Sequence, residues 1–227
     1  MNNIRTLIVI LIGLLTSSVP AVAAPVVWAD WTTGSSGPSG AATGFFDLAT
    51  DINITYSGEI EFIQTSGGTN YWTGTSYISA AVDNGPGTPD IIALSRATSK
   101  TLSFSQAVDN LFFAVVSLNG NGYEFNEDFT VESAGCGFWG CGTLTRQDMG
   151  NGTYRLIGSG EPHGVIRFSR AVSSITWTSL TAENWNGFSV GTYGAAVSAV
   201  PEPETYAMLL AGLGLLSFIA RRRKQVA

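Results

Sequence analysis

Between residues 25 and 200 apolar side chains frequently alternate with polar ones at a period of two, and no stretch keeps the 3.6-residue period of a surface helix. Residues 52–64 set the pattern: Ile52, Ile54, Tyr56, Ile60 and Phe62 fall on one face, and Asn53, Thr55, Ser57, Glu59 and Glu61 on the other. This predicts one long half-buried strand, with Gly58 as a bulge. Shorter runs predict strands at 91–94, 101–104, 111–118, 129–133, 142–147, 153–157, 165–168, 174–179 and 188–193. The run 111–118 is apolar throughout, as expected of a central strand covered on both faces. Asn84-Gly85, Asn119-Gly120-Asn121-Gly122, Asn151-Gly152 and Asn186-Gly187 supply turn signals between runs. Many short strands at this spacing predict an all-β single domain, a β-sandwich of jelly-roll-like kind, over residues 24–199.

One pattern occurs twice. Leu102-Ser103-Phe104-Ser105-Gln106-Ala107-Val108, followed by Leu111 and Phe113, returns as Ile166-Arg167-Phe168-Ser169-Arg170-Ala171-Val172, followed by Ile175 and Trp177. Each copy reads as a strand, a short arch at Ala-Val and a second strand, which is how a chain turns a corner from one sheet to the other.

The two ends follow different rules. Arg5 and the amino terminus precede an apolar run over 7–15, and Ala21-Val22-Ala23 gives an A-x-A pattern. These are the parts of a secretory signal peptide at 1–23, cleaved by signal peptidase after Ala23 or Ala24. The C-terminus reads Val200-Pro201-Glu202-Pro203-Glu204-Thr205-Tyr206, then an uncharged stretch to Ala220, then Arg221-Arg222-Arg223-Lys224. A helix over 206–220 rises about 22 Å at ~1.5 Å per residue, short of a hydrocarbon core of ~30 Å. Such a short transmembrane helix suits a transient stop at the inner membrane better than a permanent anchor, with its basic cluster on the cytoplasmic side.

This tail, residues 200–227, resembles the PEP-CTERM sorting signal of exported bacterial proteins. The resemblance implies recognition by an exosortase, a membrane-embedded cysteine transpeptidase that cuts near the Pro-Glu-Pro motif. Pro201, Glu202 and Pro203 would be the motif read by that enzyme. The helix would present it at the outer face of the membrane, and Arg221, Arg222, Arg223 and Lys224 would hold it there. The resemblance further implies a Gram-negative, exopolysaccharide-producing cell in which such proteins are associated with biofilm or floc.

Charge narrows the partners. The 227-residue chain is 44% hydrophobic and only 12% charged, with a net charge of −6. Without Arg5 and the four basic tail residues six cations remain, and without Glu202 and Glu204 fifteen acids remain, leaving the mature region near −9. Such a surface disfavours nucleic acid and acidic lipid headgroups. One histidine and two cysteines are too few for a zinc site of ordinary composition, and no metal ligand set is expected.

Candidate chemistry is sparse. Cys136 and Cys141 flank Gly137-Phe138-Trp139-Gly140, and in an exported chain this pair predicts a disulfide that pins an aromatic tip. Gly187-Phe188-Ser189-Val190-Gly191 matches the G-x-S-x-G of a nucleophile elbow. That device needs a following helix and a later histidine. Here His163 precedes Ser189 and no helix follows before the sorting segment, so a glycine-flanked strand is expected. Glu59 with Glu61, and Glu124 with Asp128, share strand faces and are the acids a glycoside hydrolase could use; Glu124, Asn126 and Asp128 faintly resemble the acidic strand motif of laminarinase-type glucanases. Segments 83–90 and 119–128 are rich in oxygen ligands for a structural calcium ion but fit no EF-hand. Tyr71, Trp72, Phe138, Trp139 and Trp185 lie among Gly, Asn and Thr, where flat rings can stack on sugars; Trp72, Phe138 and Trp139 are the principal candidates.

The sequence therefore predicts an exported, exosortase-processed, non-enzymatic protein of the outer surface or extracellular matrix. It needs no cofactor, plays a structural or adhesive role, and is a candidate partner of exopolysaccharide. The alternative is a carbohydrate-binding module or a carbohydrate-active enzyme on the same sandwich.

Overall fold

A computed structural model describes residues 25–195 and 210–213. Ala21, Ala23, the Pro201-Glu202-Pro203 motif and the basic residues Arg221, Arg222, Arg223 and Lys224 lie outside the described residues. Within the predicted helix 206–220 the described part, 210–213, is helical. No helix among the described residues is long and apolar enough to cross a membrane.

The period-two pattern becomes strands throughout. In chain order they are β1 (Val27–Trp28), β2 (Asp30–Ser35), β3 (Gly37–Phe46), β4 (Ile52–Ile60), β5 (Phe62–Gln64) and β6 (Ile91–Leu94). β7 (Ser99–Asp109), β8 (Phe112–Val116), β9 (Gly122–Phe125), β10 (Phe129–Gly135) and β11 (Gly142–Asp148) follow. β12 (Tyr154–Gly160), β13 (His163–Phe168), β14 (Val172–Ser179), β15 (Asn186–Thr192) and β16 (Gly194–Ala195) complete the set. One sheet runs β10-β13-β8-β15-β6-β5, with β1 also on β15. The other runs β11-β12-β9-β14-β7-β4-β3-β2, with β16 also on β7. All pairings are antiparallel, and the result is an all-β sandwich.

The inner faces meet in an aromatic core. Phe113 and Phe188 stack at 4.9 Å between ring centroids, and Trp177 meets both edge-on. The outer face of the larger sheet is polar, as alternation requires. Thr33, Thr43, Thr55, Ser103 and Ser174 are successive cross-strand partners there. The smaller sheet is covered on its outer face as well. The segment between β5 and β6 lays Trp72, Tyr77 and Val82 over Ile91, Phe112, Ala114 and Val116, forming a second apolar cluster. This explains why β8, the central strand predicted from 111–118, is buried along its whole length.

Both copies of the repeated pattern are sheet-to-sheet corners. β7 lies in the larger sheet and leads into β8 in the smaller, whereas β13 lies in the smaller and leads into β14 in the larger. The corners touch: Phe168 donates its N–H to the Leu111 carbonyl at 2.9 Å. β7 pairs with β14, and β8 pairs with β13.

Three expectations change. Residues 52–64 are not one strand; β4 and β5 belong to different sheets, with the break at Glu61. Gly58 has φ +151°, and beyond it Glu59 and Ile60 are both buried, so Glu59 leaves the polar face assigned to it. The hairpin of β2 and β3 is unannounced by hydrophobic alternation because glycine fills inward sites. A Cβ on Gly44 would lie 2.4 Å from the Asp30 carbonyl oxygen, and one on Gly40 2.7 Å from that of Ser35. Asn186-Gly187 is not a turn but the start of β15.

Candidate functional site

Several loops converge where β8 ends and β13 and β15 begin. Ser117 and Asn119 follow β8, Trp139 stands between β10 and β11, Glu161 between β12 and β13, and Glu183, Asn184 and Trp185 lead into β15. Together they line a cleft of about 400 Å³.

The aromatic wall is built by a stapled hairpin. β10 is an edge of the smaller sheet and β11 an edge of the larger, and the Cys136–Cys141 disulfide joins them at the turn. Gly137 donates its N–H to the Gly140 carbonyl at 2.8 Å, which leaves Phe138 and Trp139 as the two tip residues. They are 42% and 45% exposed. Trp139 stacks on Tyr71 at 5.2 Å and meets Trp185 edge-to-face at 4.8 Å, so three separate segments hold one ring cluster. Phe62 backs Trp185 at 4.8 Å. Beneath the tip lies buried His163, its Nδ1 3.1 Å from the Tyr77 hydroxyl. Gly137 must be glycine here, since a Cβ would fall 2.2 Å from the imidazole.

The floor is acidic. Ser117 donates its hydroxyl to Glu161 Oε2 at 2.5 Å, and the Asn119 amide donates to Oε1. The Glu161 backbone N–H donates to the Cys141 carbonyl at 3.0 Å, tying this turn to the stapled hairpin. Glu183 Oε1 accepts from the amides of Asn121 at 2.7 Å and Asn186. The Tyr123 hydroxyl donates in turn to Asn186 Oδ1, linking the site to the aromatic core. Burial pushes the Glu183 carboxyl above the ordinary glutamate range; the asparagine hydrogen bonds oppose the rise, and the Glu161 charge adds to it.

No cation lines this cleft. Of the six described lysines and arginines, Lys100, Arg146, Arg155, Arg167 and Arg170 are each in ion pairs with other carboxylates, namely Glu59, Asp128, Glu124, Glu132 and Glu127, and the sixth, Arg96, is exposed and outside the cleft lining. Neither Glu161 nor Glu183 takes part in an ion pair among the described residues.

The predicted positions separate accordingly. Phe138 and Trp139 reach the surface as expected, and Trp185 joins them. Trp72 does not: it is buried in the outer apolar cluster, with its indole N–H donated to the Asp90 carbonyl at 3.1 Å. The four acids weighed for hydrolysis are engaged elsewhere. Glu59 accepts from the Ser95 N–H at 2.5 Å and pairs with Lys100; Glu61 accepts from the Ser95 hydroxyl at 2.8 Å. Glu124 accepts from Arg155 at 2.6 Å, which with Thr153 holds its carboxyl low, and Asp128 accepts from Arg146 at 2.6 Å. Ser189 is buried mid-strand in β15, between glycines required by Ile91 on one side and by Val26 and Trp28 on the other. In the oxygen-rich segments Asn84 binds both backbone polar groups of Val26, Asp90 accepts the Trp31 N–H, and Asn121 caps Gly122 and Thr181. Among the described residues no group of three or more His, Cys, Asp or Glu could hold a metal.

Sequence reading did not bring Glu161 and Glu183 together. The only signal was local, since Glu183-Asn184-Trp185 places an acid and an amide beside a tryptophan in a polar context.

Residues 199–224 match the PEP-CTERM protein-sorting motif. No characterised protein and no solved structure matches the chain.

Proposed function

We propose that this chain, an exported envelope protein directed to an exosortase by its PEP-CTERM motif, is a non-enzymatic adhesive component that holds exopolysaccharide at its aromatic cleft. Signal peptidase removes the leader near Ala23, and the exosortase severs the chain near Pro201, Glu202 and Pro203. The sandwich is then released to the surface or matrix of a Gram-negative cell. It works without a cofactor.

The observation that carries the glycan reading is the exposed Phe138–Trp139 tip locked to Tyr71 and Trp185 above a polar floor. Ring faces stack on the apolar faces of sugars while Asn119, Asn184 and Ser117 offer hydrogen bonds to hydroxyls. Rings already locked by their neighbours lose little freedom on binding. Pull-down on exopolysaccharide from the producing cell tests this. Trp139→Ala is expected to weaken retention about tenfold while leaving the thermal unfolding transition in place; unchanged retention would overturn it.

Hydrolysis is a second reading, favoured by two carboxyl groups, Glu161 and Glu183, lining one cleft, with burial raising that of Glu183. It predicts release of new reducing ends from the same polysaccharide, abolished by Glu183→Gln. Intact polymer after prolonged incubation counts against it.

A further inference from the structure

Resting on the reading that the cleft holds polysaccharide, we infer that its ligand carries free amines: a polymer containing de-N-acetylated amino-sugar units, with one ammonium seated between Glu161 and Glu183 against Trp139 and Trp185.

Two independent features point the same way. The first is charge. Glu161 and Glu183 share the cleft without a cation among its lining residues: Lys100 and four arginines are committed to other carboxylates, and Arg96, exposed beside Ser95, pairs with neither glutamate. Their neutral donors, Ser117 and Asn119 for one and Asn121 and Asn186 for the other, orient the carboxylates without discharging them. An anionic uronate would be repelled, a neutral sugar would leave the carboxylates unbalanced, and an ammonium would satisfy both. The second feature is the wall. Trp139 and Trp185 meet at 4.8 Å and border the same cleft, giving the aromatic surface that a partly desolvated cation favours. The sugar ring to which the amine is attached then has the exposed Phe138 ring, packed against Tyr71 at 5.1 Å, to stack on.

The site is set up before the ligand arrives. Glu161 is tied through its N–H to Cys141 of the stapled hairpin, and Glu183 through Asn186 and Tyr123 to the core. Both carboxyl groups are therefore held in place by contacts that need no ligand.

The test is titration of the full-length chain in detergent with four probes: glucosamine oligomers, N-acetylglucosamine oligomers of equal length, glucuronate oligomers and oligolysine. Glucosamine oligomers are expected to bind at least about tenfold more tightly than the N-acetylated series, with no measurable binding of glucuronate. Glu161→Gln and Glu183→Gln, which keep the amide hydrogen bonds, are each expected to weaken glucosamine binding about tenfold and to leave N-acetylglucosamine binding unchanged. Equal affinity for the amine and N-acetyl series, with both lost in Trp139→Ala, would overturn the amine inference and leave the polysaccharide reading standing. Oligolysine binding as tightly as glucosamine oligomers, with sugar rings adding nothing, would overturn it in favour of a basic peptide. No binding of any saccharide would overturn both.

Discussion

His163 is packed under the hairpin tip, where burial holds its imidazole below its ordinary value of 6.5, partly opposed by the charge of Glu161. The unfolded chain therefore takes up a proton that the fold does not. Its contribution to stability is complete above about pH 6.5 and is lost as pH falls through that value toward the lower folded pKa. Urea unfolding across this window should show stability falling in acid, and His163→Gln should flatten the slope whatever its effect at neutral pH. An unchanged slope would contradict the assignment. Glu183 has the opposite sign. Its carboxyl is raised in the fold, so the ionised form costs stability at neutral pH. Glu183→Gln keeps an oxygen for Asn121 and Asn186 and is expected to raise the melting temperature at neutral pH, with the gain vanishing in acid. A residue that destabilises the fold yet lines the cleft is what a binding site shaped at the expense of stability would contain.

At the scale of elements, the β10–β11 hairpin and the β4–β7 pairing make separate predictions. Closing the six-residue ring between Cys136 and Cys141 contributes about 2 kcal/mol by restricting the unfolded chain. Cys136→Ser with Cys141→Ser should lower unfolding free energy by roughly that amount and should weaken saccharide binding as the tip loosens. Fluorescence of Trp139 and Trp185 reports both effects. Lys100 is buried on β7, donating to the Arg96 carbonyl at 2.6 Å, the Thr98 carbonyl at 2.8 Å and the Ser179 hydroxyl at 2.9 Å, with Glu59 at 3.5 Å. Burial brings its amine down to about 8. Lys100→Met strands the Glu59 charge and should cost about 3 kcal/mol or more in chemical denaturation. Adding Glu59→Leu should recover most of that loss; no recovery would show that Lys100 acts through its backbone partners alone.

Strand identity was legible where one face is solvated: Ile54, Tyr56 and Leu102 alternate with Thr55, Ser57 and Ser103, and the structure keeps that register. The apolar runs 91–94 and 111–118 were legible too, the second as a strand covered on both faces, and strand identity was hidden where the inward face carries little apolar side chain. β3 carries glycine at inward positions such as Gly40 and Gly44, so its pattern vanished. The run 52–64 kept its alternation across a change of sheet, which only pairing reveals. The cleft shows the same limit. Phe138, Trp139 and the disulfide stand next to one another in the chain and could be read there. Glu161 and Glu183 are brought together by the β12–β13 and β14–β15 connections, whose proximity is a property of strand order. Trp72 looked like Trp139 in composition, and only the folding of its segment over β8 buries it.

For the whole molecule, the sandwich and the tail divide the work. The tail carries the PEP-CTERM sorting motif at 199–224, which implies exosortase recognition and export to the cell envelope. The sandwich carries an acidic aromatic cleft in which Glu161 and Glu183 stand without a cation among the lining residues. The most direct test of this account is the intact mass of the protein recovered from the outer surface of its own cell. The expected mass runs from Ala24 or Pro25 to the neighbourhood of Pro201, less two hydrogens for the Cys136–Cys141 bond, plus any group joined at the new C-terminus. A mass that still includes Arg221, Arg222, Arg223 and Lys224 would contradict exosortase processing.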